Sequence, residues 1–243
     1  MMHEYKSALL KMMDEVVEKE AEAIEFAAEK TTEKLVAGGI LFAFGTGHSH
    51  CVAEEMCGRA GGLAPVDAIL EASLIGATGF NKSQVLERIY GFAEPLLDHR
   101  GVTDKDILLI ISNSGRNAVP VELAIKAKER GIFTIVITSV SYSGFAGPRN
   151  KYNQCLYQIA DVVIDNHGVV GDACIKLDNL EPPICSTSNI ISSFIAQLLC
   201  GRICELMLAK GIEPPVLFSG NLDGADEKNK SLFDRYRGRV KSW

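Results

Sequence analysis

Residues 106–131, DILLIISNSGRNAVPVELAIKAKERG, decide the fold. The apolar run Ile107–Ile111 shows no alternation, as expected of a strand in a parallel sheet covered on both faces. The polar turn Ser112-Asn113-Ser114-Gly115-Arg116-Asn117 comes next. Val119–Arg130 then keeps helical apolar spacing until Gly131 stops it. Ile40–Phe44, Phe133–Thr138 and Val162–Ile164 are further unalternated runs, with Ala64–Leu70 a weaker fifth. Helical segments His50–Gly58, Gln84–Leu97 and Asn189–Lys210 complete the pattern. Strands alternating with helices predict an α/β, three-layer, doubly wound domain.

Upstream, Glu4–Val36 contains neither Pro nor Gly and reads as one helix of about thirty residues ending at Gly38-Gly39. Tyr5, Leu9, Met12, Val16, Ala23 and Ala27 form one apolar row, and Leu10, Met13, Val17, Ile24, Ala28 and Leu35 a second. So wide a stripe needs cover on more than one side, from its own domain and from a second copy. Downstream, Pro214-Pro215 and the polar GNLDGADEKNKS open a tail whose Leu217, Phe218, Leu232 and Phe233 are expected along the same seam. The expected layout is a helical arm at 1–37, the sheet domain at 38–212 and a tail at 213–243.

The 243 residues carry 31 acidic and 25 basic side chains, for a net charge of −6, and 47 % of them are apolar. That balance suits a globular protein and argues against nucleic acid or an anionic membrane as partner. The first twenty residues lack the apolar run of a signal peptide. Gln197, Arg202 and Glu205 mark the apolar stretch 190–209 as a buried helix and not a membrane span. Seven scattered cysteines without a CxxC pair read as reduced thiols, so the expected compartment is the cytoplasm.

Ligands of doubly wound sheets sit beyond the carboxyl ends of the strands. There the first strand gives Gly45-Thr46-Gly47-His48-Ser49, glycines for a tight turn and polar groups at a helix entrance, a setting that attracts anions. The motif lacks the third glycine of a dinucleotide fingerprint and the GK[ST] of a Walker loop. Ser112 to Asn117 offers two hydroxyls, two amides and an arginine, more than a helix cap needs. Cys185-Ser186-Thr187-Ser188-Asn189 opens the last helix in similar style. The three entrances are expected to converge on one anionic ligand.

GTGHS, ISNSGRN and STSN together resemble the sugar isomerase (SIS) domain over about Val36 to Lys210. Within that family Glu55-Met-Cys-Gly58-Arg59 is similar to the Glu-x-x-Gly-Arg pattern of phosphoheptose isomerases. The resemblance implies a five-stranded parallel flavodoxin-like sheet, a phosphorylated sugar as ligand, and a homodimer or homotetramer with sites near subunit contacts. It places Thr46, Gly47, Ser49, Ser112, Ser114 and Gly115 at the sugar phosphate, with Asn117 where relatives carry Thr or Ser. His48, Asn113, Ser186 and Thr187 complete the candidate binding set from the same turns. Phosphoheptose isomerases place an acid/base histidine in the last helix, whereas Ser188–Lys210 holds none.

Moving a proton between C2 and C1 of an aldose needs a base and an acid. Glu55 matches the family's base position. Glu71, after the second strand and among apolar residues, is expected to have its pKa raised by desolvation. Glu71 also resembles a glutamate of the amino-sugar phosphate etherases, and His167 is the candidate acid. No metal and no cofactor are expected. The leading reading is an aldose–ketose sugar-phosphate isomerase. An etherase-like lyase on an amino-sugar 6-phosphate and a non-catalytic sugar-phosphate sensor are the alternatives.

Overall fold

The central strands send alternate residues into two opposite layers, and both layers are apolar. The computed structural model describes residues 1–243. In chain order the elements are α1 (Met2–Lys19), α2 (Ala21–Val36), β1 (Leu41–Gly45), α3 (His50–Met56), β2 (Val66–Ile69), α4 (Phe80–Leu86), α5 (Ala93–Arg100) and β3 (Ile107–Ile111). They continue with α6 (Ala118–Glu129), β4 (Phe133–Thr138), α7 (Val140–Ala146), β5 (Val162–Asp165), β6 (Ala173–Ile175), β7 (Ile184–Ser186), α8 (Ser188–Ala209) and α9 (Ala225–Tyr236). The first five strands form one parallel sheet in the order β2-β1-β3-β4-β5.

Leu41, Ala43, Ile107, Leu109, Ile111, Ile135 and Ile137 face one layer, made by α1, α2, α3 and α8. Phe42, Phe44, Leu108, Ile110 and Val136 face the other, where α5 and α6 lie. Cover on both faces is why these runs show no alternation in the sequence. The expected sheet is present, and β3 and β4 have the expected bounds. By length and composition α8 is apolar enough to cross a membrane. Here its Ile191, Ile195, Leu199, Ile203 and Met207 are buried in the first layer, against α2 and α3.

The structure corrects three expectations. The N-terminal helix is two helices, broken at Glu20. Glu20 turns its carboxylate to the end of β5, where Oε1 meets His167 Nε2 at 3.0 Å and Oε2 accepts the Asp165 N–H at 3.1 Å. The expected helix Gln84–Leu97 is also two, α4 and α5, with Gly91 at φ 97° in the connection. That connection lies across α6, with the Val119 N–H donating to Glu87 O and the Gly91 N–H to Glu122 Oε2. Finally, the C-terminal segment packs on its own domain. Val216 bridges Leu63, and Leu217, Tyr236 and Val240 are buried in the second layer, with Leu232 and Phe233 packed against it. An antiparallel pair, β6 and β7, was not expected at all.

Candidate functional site

After β1 the chain runs to β2 at the sheet edge, then returns to β3 on the other side of β1. The helices that follow β1 and β3 cover opposite faces: α3 belongs to the first layer and α6 to the second. Between the two turns lies the crevice of a topological switch point. Gly45–Ser49 and Ser112–Asn117 therefore face each other across it.

The Ser112–Asn117 turn holds every carbonyl and frees most of its amides. Thr138 Oγ1 donates to Ser112 O at 2.7 Å, the Ser139 N–H to Asn113 O at 3.0 Å, and Ser143 Oγ to Ser114 O at 2.8 Å. The carbonyls of Gly115, Arg116 and Asn117 accept from the N–H groups of Leu156, Arg149 and Val121. By contrast, the N–H groups of Asn113, Ser114, Arg116 and Asn117 donate to nothing in the chain. The Gly115 N–H donates to Ser112 Oγ at 3.3 Å, and the Ser114 hydroxyl has no partner. Gly115 has φ 56°, and a Cβ there would stand 2.8 Å from Thr138 Oγ1 and 2.9 Å from Ser143 Oγ. Only glycine fits a turn tied down this way. Grouped unpaired amides at the start of a twelve-residue helix form a concavity for an anion.

The β1 turn is equally tight. A Cβ on Gly45 would lie 2.5 Å from the Ser49 backbone, and Gly47 has φ 53°. His48 is exposed, while its carbonyl accepts Asn189 Nδ2 of α8 at 3.0 Å. Ser49 is half-buried and its hydroxyl carries no hydrogen bond within the chain.

Glu87 joins the two turns. Its Oε2 accepts the Thr46 hydroxyl at 2.9 Å and its Oε1 accepts Asn117 Nδ2 at 2.6 Å. Arg149 donates from Nε and Nη2 to Asn117 Oδ1 at 3.0 and 2.6 Å. Burial pushes the Glu87 carboxyl above the usual carboxylate range. Asn166, fully buried at the end of β5, adds a second tie, donating from Nδ2 to Asn113 Oδ1 at 3.0 Å and to Ser192 Oγ at 3.3 Å. Sequence reasoning missed both residues.

The third helix entrance does not join this ring through Ser186 and Thr187. Asp172 caps α8, accepting the N–H groups of Thr187 and Ser188 at 3.0 and 2.8 Å and the Ser188 hydroxyl at 2.9 Å. Thr187 is buried and its hydroxyl also points to Asp172, while Ser186 sits on β7 with its carbonyl accepting the Tyr5 hydroxyl. A carboxylate already accepts from two of the orphan amides there.

The three candidate acid–base residues lie apart from one another. Glu55 pairs with Arg59 on α3 and accepts Gln197 Nε2 of α8 at 3.2 Å. Glu71 accepts the N–H and hydroxyl of Ser73 at 3.0 and 2.6 Å, and these bonds hold it below the usual range, the reverse of the desolvated carboxyl expected. It borders a cleft of about 430 Å³ with Tyr90, Phe92 and His99. His167, at φ 52°, is turned to Glu20. No three His, Cys, Asp or Glu side chains gather in a metal-holding group.

Comparison with known proteins gives consistent matches. A family described as the SIS domain matches residues 4–139. A UPF0309 protein of Geobacillus thermodenitrificans is 38 % identical over 240 residues, spanning 99 % of this chain and 96 % of its own. A UPF0309 protein of Halalkalibacterium halodurans is 44 % identical over 226 residues, 93 % of each. Among solved structures, a phosphoheptose isomerase from Neisseria gonorrhoeae superposes with a TM-score of 0.54 at 20 % identity, over 84 % of this chain and 97 % of that one. The sugar isomerase domain of an RpiR transcription factor from Sphaerobacter thermophilus gives 0.53 at 15 % identity, over 98 % of each chain. At such identities these structures share the fold.

Proposed function

The chain belongs to the SIS-domain family, and from that premise we propose that it binds a phosphorylated sugar and interconverts its aldose and ketose forms. One observation carries the reading: the Ser112–Asn117 turn, with its carbonyls bonded inward and four amides free. A phosphate oxygen set takes those amides and the hydroxyls of Ser112 and Ser114, with Thr46, Gly47 and Ser49 closing the crevice opposite. The naming of a structural neighbour as a phosphoheptose isomerase agrees with this.

In the reaction a carboxylate removes the proton from C2 of the open-chain aldose, and the electron pair forms the C1–C2 enediol as O1 is protonated. Return of the proton to C1, with loss of the O2 proton, gives the ketose. Glu87 is the carboxyl placed beside the phosphate turn, and burial pushes it above the usual carboxylate range, which makes it a stronger base than an exposed carboxylate. Glu55, Glu71 and His167 remain candidates for the second proton transfer. A sensor that binds without turnover is the second reading, favoured by one observation: Glu55 and Glu71 are both held by neighbours.

The protein is further read as a cytoplasmic homodimer or homotetramer. Leu10, Val17, Phe26 and Val36 stay exposed on α1 and α2, an apolar stripe that a second copy covers. All seven cysteines are free, which suits a reducing compartment. The deciding experiment is a thermal-shift panel of aldose and ketose phosphates, followed by incubation of hits and product detection by NMR. A hit that converts to its isomer supports the enzyme, and a hit recovered unchanged supports the sensor. No hit among sugar phosphates refutes both.

A further inference from the structure

Ten arginines occur in the chain. Six of them have a carboxylate within ion-pair distance. Three of the four without one, Arg88, Arg116 and Arg149, gather at the rim of the crevice beside Asn117. In a protein of net charge −6, unpaired cations are not expected to collect by chance.

The geometry there is specific. Arg149 holds Asn117 Oδ1 with two of its N–H groups, and its backbone N–H donates to Arg116 O at 3.1 Å. Arg116 Nε is buried without a hydrogen-bond partner, an orphan donor of the kind that a ligand satisfies. Arg88 follows Glu87 directly, is exposed, and lies near enough for its charge to act on both Glu87 and Arg149. Glu87 makes no ion pair with the group, because Thr46 and Asn117 occupy its oxygens. Burial, then the charges of Arg88 and Arg116, hold the Arg149 guanidinium below its usual range. Lys151, stacked 4.3 Å from the Tyr90 ring centroid and 5.0 Å from that of Tyr152, adds a further cation in the same loop as Arg149.

The amides and hydroxyls of the Ser112–Asn117 turn already supply donors for one phosphate. Guanidinium forks beyond them match a second, separate anion. Resting on the phosphate reading of that turn, we propose that the natural ligand is a sugar phosphate carrying a second anionic group, a phosphoryl or a carboxylate, held by Arg88, Arg116 and Arg149.

Calorimetric titration of the full chain tests this with fructose 6-phosphate, fructose 1,6-bisphosphate and 6-phosphogluconate, and inorganic phosphate as control. The expected result is that a doubly anionic ligand binds about tenfold or more tightly than the monophosphate, with a steeper loss of affinity as salt rises. The bisphosphate and acid arms tell phosphoryl from carboxylate. Arg149→Ala brings the ratio close to one. Arg88→Ala, at an exposed side chain, should lower the ratio in a protein whose fold is undisturbed, should the first variant not fold. Equal affinities in the wild type overturn the proposal. So does an equal loss for mono- and doubly anionic ligands in both variants, since the arginines then serve the single phosphate. If no sugar phosphate binds at all, the phosphate reading of the turn falls as well, and the two failures are told apart.

Discussion

Ser114→Ala isolates the phosphate site from the fold. The Ser114 hydroxyl has no partner in the chain, so its loss leaves no group unsatisfied and the unliganded protein should melt unchanged. A hydrogen bond to a charged phosphate contributes about 1.5–3 kcal/mol, so affinity should fall about 13- to 160-fold. With ligand at about 100 times the wild-type Kd, binding stabilises the wild type by about 2.7 kcal/mol. At the same concentration the variant should keep only about 0.3–1.3 kcal/mol. For a chain of this length, that turns a ligand-induced shift of about 5–11 °C into one of about 1–5 °C. Ser112→Ala should lose affinity similarly and also about 1 kcal/mol of stability, because Ser112 Oγ accepts the Gly115 N–H at 3.3 Å. Thermal melts with and without the best sugar phosphate measure both quantities. An undiminished shift in Ser114→Ala would refute the reasoning and reduce the turn to a helix cap.

Other outcomes follow from the same geometry. Gly115→Ala forces a Cβ against the Thr138 and Ser143 hydroxyls at positive φ, and urea titration should show a loss of about 1–3 kcal/mol or more. Glu87→Gln should lower isomerase turnover about 10²-fold or more. Because burial raises the Glu87 pKa, its carboxyl contributes stability below its unfolded pKa that is lost as pH rises through the folded one. The stability of wild type relative to Glu87→Gln should therefore decline as pH rises above the usual carboxylate range, and a rise would count against a desolvated Glu87. Asp172→Ala strips the cap from α8 and leaves the Thr187 and Ser188 N–H groups without their acceptor, costing about 1–3 kcal/mol by urea midpoint. Light scattering should give a mass of at least about 53 kDa, twice the 26.4 kDa chain, and Leu10→Glu with Val17→Glu should lower it towards 26.4 kDa; a monomeric wild type would show that α1 and α2 need no partner.

The sheet was legible because burial on both faces leaves whole strands apolar, and a run such as Ile107–Ile111 keeps that mark whatever its neighbours are. The helix breaks were not. Glu20 is a good helix former, and nothing local stops a helix there. At the break its carboxylate reaches His167, 147 positions on in the chain. The second break carries a local sign: Gly91 and Pro95 both fall inside the expected helix Gln84–Leu97. Reading them as a stop would have put Glu87 on a connection. The tail was expected along the seam of the N-terminal helix, but its few apolar residues return to the second layer.

The site divides in the same way. Ser112–Asn117 was readable because a phosphate turn is local, its donors lying within six positions. Glu87 was not, since its partners Thr46 and Asn117 are 41 and 30 positions away. Its place follows from topology: with α3 and α6 on opposite faces, the crevice between their turns needs a strut, and the α4–α5 connection supplies one. A strut that also moves a proton must survive protonation. The Thr46 hydroxyl can reverse and accept from a neutral Glu87, while the other oxygen keeps accepting from Asn117 Nδ2, whose Oδ1 is fixed by Arg149. Asn117 is thus better suited than the family's Thr or Ser, whose single hydroxyl cannot hold the carboxyl and the guanidinium in this fork. Under the proposed mechanism, Asn117 in that place lets Glu87 change charge without letting go of either turn.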